Sequence, residues 1–231
     1  MLQPDSILPK VPLCAAPWSL RGSAWIVALK LPPSAPARDA FLPPGLAGQG
    51  RGLASYLMYV DYAESKCGPY RELLFIPGAF RFGDGRRHLT ISRILVSTWD
   101  SVVNGRDNWG IPKDRADFEV EHGLNGGRED RVRVISEGRE LCELRFATLR
   151  YAPPLPVNGG LLPARLRTLA QCFRGRTYYY APVAGGRARL GRLLSWRFDV
   201  ALFPDLAAAP VLAAFKVESF HMTFPVADVT D

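Results

Sequence analysis

Lysine is scarce in this sequence. Only five occur among 231 residues, at positions 10, 30, 66, 113 and 216, against 24 arginines. Cysteine is scarce as well. Cys14, Cys67, Cys142 and Cys172 lie far apart and no two form a CxxC pair, which argues against a zinc site built on paired cysteines. The three histidines, His88, His122 and His221, are equally scattered. They leave little material for a histidine-rich metal centre or a Ser-His-Asp triad, so no metal and no cofactor are expected. Long apolar runs are missing too: none approaches the roughly 18 residues that span a bilayer. The opening MLQPDSILPKVPLCAAPW places two prolines before residue 10 and lacks a basic segment followed by an apolar block. It does not read as a signal peptide. The expectation is a cytoplasmic protein with reduced, mostly buried thiols and no membrane partner.

What is present is globular. Apolar residues make up 48% of the chain and charged residues 22%, with a formal net charge of +7. That composition supports a sizeable core, and the length suits one large domain. The surplus of arginine raises nucleic acid as a partner. Residues 161–198 hold eight arginines and no acidic residue, with Tyr178, Tyr179, Tyr180 and Trp196 interleaved. Arginine clusters bind phosphates and aromatic rings stack on bases. No RRM, KH or OB motif accompanies them, and Arg187 and Arg189 with Leu190 and Leu193 fit the outer face of a strand pair. Nucleic acid is set aside on that ground.

Alternating and β-branched runs predict strands at 23–31, 53–63, 70–76, 88–97, 116–122, 130–136, 176–183, 187–199 and 210–224. Glu137-Gly138 reads as a hairpin turn, and Gly83-Asp84-Gly85 as the tip of another turn within Phe80–Arg87. A helix is expected over 98–108, capped by Thr98 and stopping near Gly105. Shorter helices are expected near Ala37–Phe41 and over 163–173, the latter started by Pro163. The fold class is mainly β, a β-rich α+β antiparallel barrel or sandwich with a few short helices. Residues 1–17 form a Pro-rich arm, extended on the surface or on a partner subunit. Residues 18–231 form a single domain.

One segment concentrates chemistry. Residues 104–113, NGRDNWGIPK, pack two glycines, a proline, an indole and two amides around Lys113. Glycine permits positive φ or close approach, and Pro112 biases Ile111 to an extended shape. This suits a rigid loop that presents Lys113 from a fixed place. It also suits a tight helix-to-strand connection with an exposed lysine. On YRELLFI, Glu72, Leu74 and Ile76 share one strand face and Leu73 and Phe75 the other. A glutamate on an apolar face is either buried and suited to moving protons, or exposed and paired with Arg71 or Arg93.

The stretch NGRDNWGIPKDRADF resembles the lysine signature of the acetoacetate decarboxylase-like superfamily. CGPYRELLFIPGAF is similar to the family's glutamate segment, which falls on Glu72. PWSLRGSAWIV is similar to its N-terminal strand, with an arginine at Arg21. The C-terminal FPDL and ESFHMTFP resemble its fungal-type branch. The resemblance implies a barrel cavity in which Lys113 forms an imine with a keto acid. Glu72 would act beside it, and Arg21, Trp109, Asn108 and Arg106 would lie around the substrate, Arg106 and Asn108 as loop braces rather than catalysts. It also implies a homo-oligomer. The activated lysine is a standard property of that family. A free lysine near pKa 10.4 is almost all ammonium at neutral pH, so burial or a nearby cation must favour the free amine.

The chain departs from the family directly after the lysine, where Asp114 replaces a second lysine. Neighbours on an extended segment face opposite ways, so Asp114 can turn toward Arg106 or Arg115. The replacement argues against acetoacetate decarboxylation as such and leaves imine chemistry open. Three readings follow. The first is a Schiff-base lyase of decarboxylase, aldolase or dehydratase type acting on a keto acid. The second is a cyclase or dehydratase relative acting on a polyketide-like intermediate, for example in secondary metabolism. The third is a non-catalytic pocket for a hydrophobic ligand.

Overall fold

The computed structural model describes residues 2–52 and 54–231. The strands in chain order are β1 (Trp18–Leu29), β2 (Ser55–Glu64), β3 (Tyr70–Ile76), β4 (Ala79–Arg81), β5 (Arg87–Leu89) and β6 (Arg93–Val96). There follow β7 (Lys113–Arg115), β8 (Asp117–Gly123), β9 (Glu129–Ser136), β10 (Arg139–Thr148) and β11 (Leu155–Asn158). The last are β12 (Leu169–Phe173), β13 (Arg176–Tyr180), β14 (Val183–Phe198), β15 (Val211–Phe224) and β16 (Asp228–Thr230). Helices α1 (Pro36–Asp39), α3 (Leu124–Gly127) and α4 (Ala164–Arg167) are single turns, and α2 (Trp99–Trp109) is the one longer helix among the described residues.

The large sheet runs β7-β6-β3-β2-β1-β15-β14-β10-β9-β8, with β11 added against β14. Its pairings are antiparallel except β6 with β7. The edge strands β7 and β8 are consecutive in the chain, with Ala116 between them. The sheet therefore curls until its edges approach, although no ladder joins them among the described residues. The first core fills this curl. Trp25, Val27, Tyr59, Leu73, Phe75 and Leu95 from one half meet Val132, Val134, Leu144 and Phe146 from the other.

A second core covers the opposite face of β1, β2, β3 and β6. Trp18, Leu20, Tyr62, Leu74 and Ile94 pack there against Trp109 of α2 and against Leu169, Tyr178 and Tyr180 of the small sheet. That sheet runs β16-β13-β12-β5-β4. Strands buried on both faces must be apolar nearly throughout, which explains YRELLFI. Leu73 and Phe75 enter the first core while Leu74 enters the second.

Several elements differ from the sequence expectation. The run 88–97 is two strands in different sheets, broken at Thr90–Ser92. β-propensity is high throughout, but it does not report which sheet a segment joins. The helix does not stop at Gly105; it continues to Trp109 and ends at Gly110, with φ of +61°. Thr98 does cap it, its Oγ1 accepting from the Ser101 amide at 3.3 Å. The helix expected over 163–173 is one turn, Ala164–Arg167, followed by β12, whose partners are β13 and Leu89. The strand expected from 23 begins at Trp18. Leu53, within the expected 53–63 strand, lies outside the described residues, and the strand starts at Ser55. The cysteines are free, with Cys142 alone fully buried and Cys172 exposed.

The N-terminal arm lies along its own α2. Cys14 donates its amide to Asn104 Oδ1 at 2.7 Å, and Ala16 to Asn108 Oδ1 at 3.0 Å. Asn104 and Asn108 return bonds to Pro12 O and Cys14 O. Arginines of the basic stretch find acidic partners. Arg174 pairs with Asp5 and Asp107, Arg189 with Glu218, and Arg197 with Glu140.

Gly110 fixes where α2 ends relative to β7. An added Cβ there would sit 2.5 Å from Tyr178 Cδ2. Gly110→Ala is expected to cost about 1–3 kcal/mol for the left-handed backbone, with the Tyr178 contact adding to it. Urea unfolding followed by circular dichroism measures this loss. An unchanged midpoint would show that the helix end is free to relax.

Candidate active site

β7 is three residues long and parallel to β6, with Lys113 beside Ile94 and Asp114 beside Leu95. The pleat sends consecutive side chains to opposite faces. Lys113 points into the second core and Asp114 points away from it. Each charge is matched on its own side.

On the Asp114 side, Arg93 pairs with the carboxylate, and Arg106 Nη2 donates to Oδ1 at 3.0 Å. The Gln3 amide also donates to Oδ1, at 2.8 Å. Arg106 does more than neutralise. Its Nε and Nη2 donate to the Lys113 carbonyl at 2.9 and 2.7 Å, and its Nη1 reaches Asp5 at 2.9 Å. One guanidinium thereby fixes the backbone that carries the lysine. Asp114 turns toward Arg93 and Arg106, while Arg115 pairs with Asp117.

On the other side, Lys113 Nζ lies 2.9 Å from Glu72 Oε2 and donates to Ser101 Oγ at 3.0 Å. It sits 5.0 Å from the centre of the Tyr70 ring. Tyr62 donates its hydroxyl to Glu72 Oε1 at 3.4 Å. Lys113 is 3% exposed and Glu72 4%. Burial, with the Glu72 charge adding to it, pushes the hydroxyls of Tyr62 and Tyr70 well above the usual phenol range. Both rings therefore keep their protons at neutral pH, and Tyr62 donates its own to Glu72. Burial likewise pushes the Cys67 thiol up.

The lysine stem lies directly on α2. An added Cβ at Gly105 would come within 2.6 Å of Lys113 Cδ and 2.8 Å of Cε. Gly105 is a passage for the side chain, not a helix stop. Ser101 and Gly105, four residues apart, share one helical face with Trp109.

The site opens on a cavity of about 150 Å³. Its walls include Trp18, Leu74, Ile76, Ile91, Trp109, Met222 and Phe224. The indole N–H of Trp18 is taken by Cys14 O at 2.7 Å, and that of Trp109 by Pro225 O at 2.6 Å. Among the described residues, the charged side chains on the cavity wall are Glu72 and Lys113.

Three of the six residues singled out from sequence, Lys113, Glu72 and Trp109, thus meet at one cavity. The others do not join them. Arg106 lies behind the lysine backbone, and Asn108 holds the N-terminal arm. Arg21 is exposed in a surface groove with Ser19, His221 and Thr223. Its neighbour Leu20 faces the cavity, so strand alternation turns Arg21 outward. The cavity wall does not include Arg21, Arg106 or Asn108, contrary to their expected place around the substrate, while Arg106 and Asn108 brace the loop and the arm. Ser101, Gly105, Tyr62 and Tyr70 were not singled out from sequence. Period two from Glu72 to Tyr70 and period four from Ser101 to Gly105 carried the missing signal. Among the described residues, no group of three or more His, Cys, Asp or Glu side chains is placed to hold a metal.

Arg106→Leu removes one of Asp114's two cationic partners and leaves the Lys113 carbonyl without its donors. Breaking a buried ion pair from one side costs about 3–5 kcal/mol, and a loss of that size is expected in urea unfolding. A loss below about 1 kcal/mol would show that Arg93 and solvent suffice for Asp114.

No curated protein sequence matches the chain. Solved structures do share its fold. Acetoacetate decarboxylase from Legionella pneumophila superposes with a TM-score of 0.72 at 13% identity, covering 98% of this chain and 93% of that one. The enduracididine biosynthesis enzyme MppR, complexed with the condensation product of pyruvate and imidazole 4-carboxaldehyde, gives a TM-score of 0.65 at 18% identity, covering 94% and 90%. An acetoacetate decarboxylase-like enzyme from Sphingomonas wittichii RW1 gives 0.64 at 17%, covering 94% and 93%. At these identities the likeness speaks for the fold. The sequence model of the acetoacetate decarboxylase (ADC) family matches residues 12–227, and the chain belongs to that family.

Proposed function

We propose that the protein is a Schiff-base lyase in which Lys113 forms an imine with a carbonyl substrate. The observation that carries this reading is a buried lysine amine, 2.9 Å from a buried carboxylate, on the wall of an apolar cavity. That MppR has been captured with pyruvate and with its condensation product fits carbonyl chemistry in this fold.

In this mechanism Glu72 Oε2 takes a proton from Lys113 Nζ, and the freed amine adds to the carbonyl carbon. The former carbonyl oxygen gains two protons and leaves as water, and the protonated imine remains. This imine accepts the electron pair of the adjacent breaking bond and becomes an enamine. A proton returns to carbon, and water releases the product and restores the amine. Ser101 accepts from Nζ and orients it, and Tyr62 holds Glu72 in place. The apolar walls exclude competing water.

The protein is incubated with pyruvate, acetoacetate and octan-2-one in turn, with sodium borohydride present, and the modified peptide is located by mass. A stable adduct on Lys113 is expected with at least one of them, and none there in Lys113→Ala. Glu72→Gln is expected to slow trapping by roughly 10²–10⁴, the usual range for losing a positioned acid–base group. Gly105→Ala is expected to melt within a few degrees of the parent, because alanine favours a helix by about 1 kcal/mol over glycine. Its adduct is expected to fall at least tenfold, because the new methyl displaces the lysine stem. Absence of any adduct with all three compounds rules the imine out.

A further inference from the structure

The charges around the cavity say something about the substrate. Lys113 and Glu72 cancel each other. The protonated imine keeps one positive charge, and the Glu72 carboxylate 2.9 Å away already balances it. The cations that sequence placed nearby are elsewhere or engaged. Arg21 is exposed on the far side of its strand, and the position after Lys113 holds an acid. Arg106 and Arg93 face Asp114 on the opposite side of β7. The Tyr70 hydroxyl on the wall is a neutral donor and supplies no cation. Both indoles are bonded to backbone carbonyls, and Tyr62 is bonded to Glu72. A carboxylate entering here would be desolvated with no unspent cation, and it would lie beside the Glu72 charge.

The rest of the cavity suits an apolar chain. Glu72, Leu74 and Ile76 line it at intervals of two residues along β3. Four residues of strand span roughly 13 Å, and beyond Glu72 the wall is apolar, with Ile91 and Met222 contributing.

We infer that the substrate is a neutral ketone or aldehyde with an apolar chain, and that the reaction is of aldol type and not loss of carbon dioxide. This rests on the imine at Lys113 and replaces the keto acid expected from the family resemblance. In the cleaving direction a β-hydroxyl group gives its proton to Glu72 as the Cα–Cβ bond breaks. The electron pair of that bond enters the protonated imine to give an enamine. The far fragment leaves as an aldehyde or ketone. The proton on Glu72 returns to the enamine carbon, and water releases the near fragment. No oxidant or reductant is consumed.

Octan-2-one and 2-oxooctanoate test this directly, because they differ only by a methyl group in place of a carboxylate. The wild-type chain is trapped with borohydride at equal concentrations of each. Each yield is normalised to the same reaction of a free primary amine. At least tenfold more Lys113 adduct is expected with octan-2-one. An equal or larger yield with 2-oxooctanoate overturns the neutral-substrate inference and leaves the imine standing. No Lys113 adduct with either compound, or with pyruvate or acetoacetate, overturns the imine and this inference with it.

Discussion

Two ionisable residues, Lys113 and Asp114, are adjacent and buried on a strand of three residues. The pleat forces them apart, so a counter-charge must be supplied on each face. Much of the local architecture answers that demand. β3 brings Glu72 to one face, while β6 and α2 bring Arg93 and Arg106 to the other. The arm adds the Gln3 amide and Asp5. Buried ion pairs contribute little net stability, because desolvation offsets their attraction. Their effect here is positional: any shift of β7 leaves at least one charge buried without a partner.

The family's second lysine would put two cations side by side. This chain has turned that arrangement into a balanced set. The acid that follows Lys113 does not oppose the site, because it is neutralised on the far face. What changes is the charge of the cavity, where one cation and one anion are left in contact. The surroundings of the Lys113 amine then depend on burial, on Ser101, and on the closeness that Gly105 permits.

The sequence revealed the site unevenly. The alternation in YRELLFI placed Glu72 with Leu74 and Ile76, because period two is a rigid property of a strand. Gly110 and Pro112 leave the chain few conformations before Lys113, but that pattern equally suits an exposed lysine, and the family resemblance separated the two. Gly105 was misread because glycine ends helices and also admits close neighbours, and only the tertiary contact with Lys113 separates the two. Arg21 followed from a single-residue match among 24 arginines, although its strand neighbour Leu20 pointed to the opposite face. The break between β5 and β6 was invisible because both halves have strand-forming residues and differ only in their distant partners. The opposition of Arg93 to Asp114 came likewise from the parallel β6–β7 pairing, which no local pattern encodes.

The central pairing of the large sheet joins β1 to β15, Trp18 opposite Phe224 and Leu29 opposite Val211. Nearly the whole chain separates these partners. Such long-range contacts form slowly, because much loop entropy is lost before they return any stabilisation. During synthesis β1 emerges early and waits for residues 211–224. Until then its edge is unsatisfied, and the Trp18, Met222 and Phe224 walls of the cavity cannot assemble. β7 and α2 lie in the middle of the chain and can form their local contacts sooner, so the ribosome finishes the Lys113–Glu72 pair before it finishes the apolar cavity beside it.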